Sequence, residues 1–152
     1  MESKNTNFTT VTVICPVTGG EKTLDNIEKE ARKDVEWVVV TNNRHGFKFK
    51  IYKKDLAPAN YEGANRAAAE FGCRLPDRIE FITLYNAIYT ADLNDILLAI
   101  GGDTLKGWYW TYESDEDPRY NATNAWIVSM TNGSVYTYSK AYPNRVRPVP
   151  AL

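Results

Sequence analysis

Hydrophobic and polar positions follow two different periods along this chain, and each change of period marks an element. Met1 to Thr9 is polar and rich in Asn and Thr, which predicts a loose end. Thr10 to Ile14 alternates polar and branched residues, the pattern of a short strand, and Pro16 to Gly20 follows as a turn. From Thr23 to Lys33, Leu24, Ile27 and Ala31 mark one helical stripe, while Glu28, Lys29, Glu30, Arg32 and Lys33 lie mostly off it. This predicts an amphipathic helix whose charged run is a solvated face. Trp37 to Val40 reads as a continuous apolar strand, NNRHG at Asn42 to Gly46 as a turn, and Phe47, Phe49 and Ile51 alternate with Lys48, Lys50 and Tyr52. Together these predict a hairpin.

Helical periodicity then takes over. Asn60 is placed to cap a helix with Ala64, Ala67, Ala68 and Phe71 on its apolar stripe, and Gly72 to end it. In the step CRLPD, Pro76 stops regular structure and Asp77 precedes Glu80 by three residues, a capping box for a second helix with Phe81, Leu84, Tyr85 and Ile88 inward. A third, shorter helix over Asp92 to Ile100 turns Leu93, Ile96, Leu97 and Ile100 inward and stops at Gly101 and Gly102.

From Gly107 to Val149 the period returns to two. Trp108, Trp110 and Tyr112 share one side of a strand, and Trp126, Val128 and Met130 one side of another, with Trp110 and Trp126 expected in the core. Asn132 and Gly133 form a two-residue hairpin turn that pairs Trp126–Met130 with Val135–Ser139. Val135 and Thr137 then face one way, Tyr136 and Tyr138 the other. Arg147, Pro148 and Val149 read as a short final strand, at an edge or bulge because of the proline.

Composition narrows the function. The 152 residues, 43% hydrophobic, suffice for one domain with its own core. A formal charge of −1, with basic residues scattered, offers no footprint for nucleic acid or an anionic membrane. No run reads as a membrane span or an export signal, so the expectation is a cytoplasmic or virion-associated chain. Cys15 and Cys73 are far apart and outside any CxxC pattern; two buried free thiols is the favoured reading, and a single bridge between them stays open. His45, the only histidine, reads as a turn residue. Glu113, Asp115, Glu116 and Asp117 carry oxygen ligands that a hard cation would accept, yet they read as a solvated loop, so no metal or other cofactor is expected. No acid and base pair suggests a shifted pKa or a substrate pocket, and no catalysis is expected.

The order NYEGANRAAAEFG, RLPD, YWTYES, NAWIVSMTNGSV, a lysine and VRPV resembles the bacterial C-type-lectin-like fold. It is most like the short domains at the C-terminus of collagen-like bacterial adhesins and the variable proteins of diversity-generating retroelements, including phage tropism determinants. The resemblance spans residues 47–152 and implies an α+β fold, two main helices with a small twisted antiparallel sheet. Residues 1–46 then form an N-terminal extension of strand, helix and hairpin strand on the same domain. Where that family often shows a W-S-S-T-E run, Trp110 is followed here by Thr111, Tyr112, Glu113 and Ser114, with the acid one place early. The Glu-Pro-Asn, Gln-Pro-Asp and Trp-Asn-Asp motifs of calcium-dependent sugar binders do not occur.

In the retroelement variable proteins the diversified positions lie in this C-terminal stretch and form the ligand face. The resemblance thus assigns ligand contact to Thr111, Tyr112, Tyr120, Asn121, Tyr136, Tyr138, Tyr142 and Asn144, a set whose chemistry suits recognition of a protein or glycan ligand. A second reading has the same face assembling a homo-oligomer, as a subunit of a virion, tail or surface appendage. An enzyme of the formylglycine-generating type, which shares the fold and uses paired cysteines, is the least favoured: Cys15 lies outside the matched region.

Overall fold

The computed structural model describes residues 8–112 and 123–150. Helices and strands are mixed along the chain, so the class is α+β. The chain divides into two compact units, Met1–Lys54 with Thr83–Thr104, and Asp55–Ile82 with Leu105–Leu152.

The first unit holds an antiparallel sheet of β1 (Thr9–Ile14), β2 (Glu21–Lys22), β3 (Trp37–Asn42) and β4 (Phe47–Tyr52), in the order β2-β1-β3-β4. Register aligns Val13 with Val38 and Val38 with Ile51, Val11 with Val40 and Val40 with Phe49. By period two these side chains share one face, and Val13, Val38, Val40 and Ile51 are fully buried. The β3–β4 hairpin is the one the alternation predicts. Asn42 Oδ1 accepts the His45 N–H at 2.9 Å inside its turn, and Gly46 takes φ +73°, a value glycine adopts without a Cβ clash.

The expected helix over Thr23–Lys33 does not form. Leu24–Asn26 and Lys29–Asp34 are two separate 3-10 turns, broken where Ile27 becomes extended at φ −103° and ψ 127°. The stripe lacks an apolar residue at position 28, and so short a segment does not repay helix nucleation once Ile27 alone is drawn under cover. In the same unit, Lys53 is buried and its Nζ donates to the carbonyls of Lys33 at 2.7 Å and Ile100 at 2.9 Å. It thereby satisfies the end of one 3-10 turn and the C-cap of α3 (Leu93–Ala99).

In the second unit, β5 (Leu56–Ala59) leads into α1 (Tyr61–Glu70). Asn60 caps α1 by accepting the Gly63 N–H at 2.8 Å, and Gly72 ends it with φ +77°. Ala64 and Ala68 are the buried residues of α1, whereas Phe71, expected inward, is exposed. The capping box of α2 (Arg78–Thr90) is present in both directions: Glu80 N–H donates to Asp77 Oδ1 at 2.7 Å, and Asp77 N–H to Glu80 Oε1 at 2.9 Å. Glu80 also takes both arms of Arg74 at 2.7 and 2.9 Å. Arg74 belongs to β6 (Cys73–Arg74), which pairs with β11 (Val149–Pro150) at the end of the described chain.

The main sheet of this unit runs β5-β10-β7-β8-β9, with β7 (Trp108–Trp110), β8 (Asn124–Ser129), β9 (Val135–Ser139) and β10 (Asn144–Val146). It is not wholly antiparallel, since β10 lies parallel to β7. Because β7 and β9 both oppose β8, β9 and β10 run in the same sense, and residues 140–143 step across the sheet instead of turning back. The β8–β9 connection is longer than the expected two-residue turn. Ser129 N–H bonds Ser134 C=O at 2.8 Å, so Met130, Thr131, Asn132 and Gly133 form the loop, with Gly133 at φ +79°. Ser129 Oγ accepts the N–H groups of Thr131 and Asn132, and β8 ends two residues earlier than an Asn-Gly turn alone implies. Arg147 and Pro148 separate β10 from β11, so the final strand starts later than its alternation predicts.

One face of the sheet is covered by α1. There Ala64, Ala68, Leu75, Trp110, Ala125, Ile127 and Val146 form a continuous core. Trp110 is fully buried, as expected, and its Nε1 donates to Ala59 C=O at 2.8 Å. Trp126 faces the other way and is only half-buried, under the Arg78 guanidinium 4.8 Å from its ring.

Candidate functional site

The register of β7, β8 and β9 decides which aromatic rings meet. Trp110 opposes Ile127 and Ile127 opposes Tyr136; Ala125 opposes Tyr138. Tyr136 and Tyr138 therefore share the face of Trp108 and Trp110, beyond the part of it that α1 covers. Tyr136 lies 5.5 Å from Trp108 between ring centroids, Tyr138 lies 6.4 Å from Trp110, and Tyr142 lies 5.9 Å from Tyr138. All the rings are tilted, at 45–51° to one another, so their edges form ridges rather than a flat stack. The outer three stay open to solvent: Tyr136 is 60%, Tyr138 43% and Tyr142 58% exposed.

The row continues at the N-terminus of α1. Tyr61 meets the other side of Trp110 edge-on at 5.2 Å, and its N–H donates to Lys140 C=O at 3.1 Å. Lys140 Nζ stands 5.3 Å over the Tyr61 ring. Asn60, Tyr61, Glu62, Asn65, Lys140 and Ala141 line an open pocket of about 540 Å³. An apolar ridge thus ends in a polar hollow that offers amide, carboxylate and ammonium groups. Such a combination offers contact area together with polar groups that can fix orientation.

On the opposite face of the sheet, Asp55 gathers three partners. The Tyr109 hydroxyl donates to both carboxylate oxygens at 3.0 and 3.1 Å, Arg147 Nε donates at 2.8 Å, and Arg145 lies at 3.5 Å. Arg147 is fully buried. Burial, ahead of the neighbouring carboxylate, pushes the Tyr109 hydroxyl above its ordinary pKa and keeps it a donor. The cluster ties β7 and β10 to the start of β5 and so holds the aromatic ridge from behind.

Of the residues expected to touch ligand, Tyr136, Tyr138 and Tyr142 are brought together. Tyr112 is exposed, its N–H bound to Pro76 C=O at 2.8 Å. Thr111 is fully buried with its hydroxyl 3.2 Å from Trp126 C=O, so it supports the sheet and offers nothing to a ligand. Asn144 is half-buried on the side of Val146; its Nδ2 is shut off from solvent and has no hydrogen-bond partner among the described residues. Tyr120 and Asn121 lie outside the described residues, as do Glu113, Asp115, Glu116 and Asp117.

Sequence periodicity missed Tyr61 and Lys140, which reach the ridge from a helix cap and a crossing segment. The available signal was the aromatic directly after the capping Asn60, a first-turn residue free to lean away from the helix stripe.

Both cysteines are free thiols. Cys15, in the β1–β2 turn, receives the Thr18 hydroxyl and the N–H groups of Thr18 and Val17, which pull its pKa to about 7. Burial instead pushes Cys73 up. Among the described residues no group of three or more His, Cys, Asp or Glu is placed to hold a metal ion, and no helix is long and apolar enough to cross a membrane.

Compared with known proteins, the chain matches no family model, and the search among curated proteins finds no significant match.

Proposed function

We propose that this chain is a non-catalytic recognition module of the C-type-lectin-like type, which captures a protein or glycan ligand on the ridge formed by Tyr136, Tyr138 and Tyr142. The observation that carries the reading is the exposure of these three rings over a tryptophan base. A contiguous patch of exposed aromatic rings is a common mark of an interaction surface, and tyrosine offers large contact area at low side-chain entropy cost. The adjoining pocket supplies polar groups that fix orientation. The capped α1, the capping box of α2 and the short sheet beside them are the features that support the fold assignment. Within that type we place the chain with the variable proteins of diversity-generating retroelements, of phage or prophage origin.

Binding of the purified chain to a glycan array and to displayed surface proteins tests the reading, with a Tyr136→Ala/Tyr138→Ala/Tyr142→Ala variant in parallel. The wild-type chain is expected to give a defined set of ligands that the folded triple variant loses by roughly a hundredfold, as removal of central aromatic anchors does. An identical ligand set for the two proteins would overturn it. Retroelement origin is tested separately by a near-copy of the segment encoding Trp108–Val149, differing at adenines, beside a reverse transcriptase gene.

A further inference from the structure

The edges of the sheets are not treated alike. β2 is two residues long and charged, β4 carries Lys48 and Lys50, and β5, one edge of the main sheet, carries Pro58. Each is a device that discourages a further strand from pairing. The other edge of the main sheet is β9, Val-Tyr-Thr-Tyr-Ser, with no proline, charge or bulge, and among the described residues only β8 pairs with it.

Its hydrogen-bonding side can be read from the ladder. Ser129 N–H donates to Ser134 C=O, and Lys140 N–H to Thr123 C=O, each at 2.8 Å. Bonded and non-bonded pairs alternate in an antiparallel ladder, so Tyr136 and Tyr138 turn their backbone groups toward Ile127 and Ala125. Val135, Thr137 and Ser139 turn theirs outward.

We infer that β9 pairs with β9 of a second copy of this chain, antiparallel about a two-fold axis at Thr137. A two-fold antiparallel pairing must centre on one residue, and Tyr136-Thr137-Tyr138 reads the same in both directions. Thr137 is also the central outward-facing residue, so the two copies exchange both backbone bonds there. Tyr136 of each copy falls opposite Tyr138 of the other in a non-bonded pair, where side chains approach most closely. The pairing uses the unguarded edge of both copies and leaves the Pro58 edges outermost, so assembly stops at two. It also joins the two aromatic ridges into one face. The inference does not rest on the ligand reading, because Thr137 points to the side opposite Tyr136 and Tyr138 and is exposed.

Sedimentation velocity of the full chain over a concentration series is the test. An interface of one short strand pair is small, so a reversible dimer of micromolar affinity is expected. Thr137→Lys places like charges directly across the axis and is expected to weaken the dimer by roughly tenfold or more. Thr137→Glu does the same and serves where the lysine variant does not fold. An equimolar mixture of the two variants brings opposite charges together and restores association. A wild-type chain that stays monomeric overturns the inference and leaves the edge to an extended segment of another protein. Dimerisation unchanged by either variant, or a mixture no better than its components, overturns it as well. Loss of the dimer in Thr137→Lys with the ligand set of the wild-type chain kept separates failure of one reading from failure of the other, since Thr137 lies on the side of the strand away from the tyrosines.

Discussion

Tyr138 rests against Trp110 with ring centroids 6.4 Å apart, the phenol open to solvent and the indole fully buried. The two rings come from strands that are not neighbours, with β8 between them. The exposed ring is therefore positioned by the core itself rather than by its own strand.

This division of labour separates two substitutions. Trp110→Ala empties the centre of the cluster formed with Ala64, Ala68 and Val146 and removes the bond to Ala59 C=O. It is expected to cost about 3–5 kcal/mol. Tyr138→Ala gives up its surface contacts with Trp110 and Tyr142 and is expected to cost about 1–2 kcal/mol. Urea unfolding followed by fluorescence measures both; equal losses would contradict the assignment of one ring to the core and the other to the ligand face.

A second expectation concerns Asp55. It is the carboxylate that faces the fully buried Arg147 and accepts the Tyr109 hydroxyl. Asp55→Asn leaves that guanidinium without its counter-charge, and a loss of about 3–5 kcal/mol is expected in the same unfolding measurement. Asp55→Leu combined with Arg147→Leu should recover part of it, because the buried charge is removed with its partner. A harmless single substitution would show that the cluster does not hold the sheet.

Cys15 sets a pH dependence. Its thiol is held at about 7 against an ordinary value of 9.0, chiefly by the Thr18 hydroxyl and then by backbone N–H groups. Between those two values the unfolded chain keeps a proton that the native chain has released, so stability from this group rises with pH across the window. It is lost as pH falls through the folded value. The difference in urea midpoint between the wild-type chain and Cys15→Ala should therefore widen from pH 7 toward pH 9. Thiolate absorbance should show a step near pH 7 that disappears in the variant. A constant difference, or a step only in the ordinary thiol range, would rule out the hydrogen-bonded thiolate.

Much of the local structure was legible before folding was considered. Asn60 before α1, the Asp77 and Glu80 box before α2, the glycines at 72 and 101, and the β3–β4 hairpin all depend on residues within a few positions of one another. The same holds for the alternation that separates Tyr136 and Tyr138 from Thr137. Caps, turns and periodicities are short-range effects, so one sequence window contains both the cause and its result.

Long-range packing decided the rest. Thr111 lies one residue from exposed Tyr112, yet it is buried because the strand continues under Trp126. Trp126 and Trp110 read alike in sequence, but register sends one to the core and the other to a half-buried place beneath Arg78. The segment Leu24–Asp34 carries a helical stripe and still forms 3-10 turns, since nucleation of so short a helix is not recovered locally. Lys140 reaches Tyr61 only because β9 and β10 run in the same sense and the chain must cross the sheet between them. The sequence by itself determined which residues could be caps, turns, strand faces and exposed tyrosines. Strand order and register, which depend on contacts between residues far apart in the chain, determined which rings meet and where the polar hollow opens beside them.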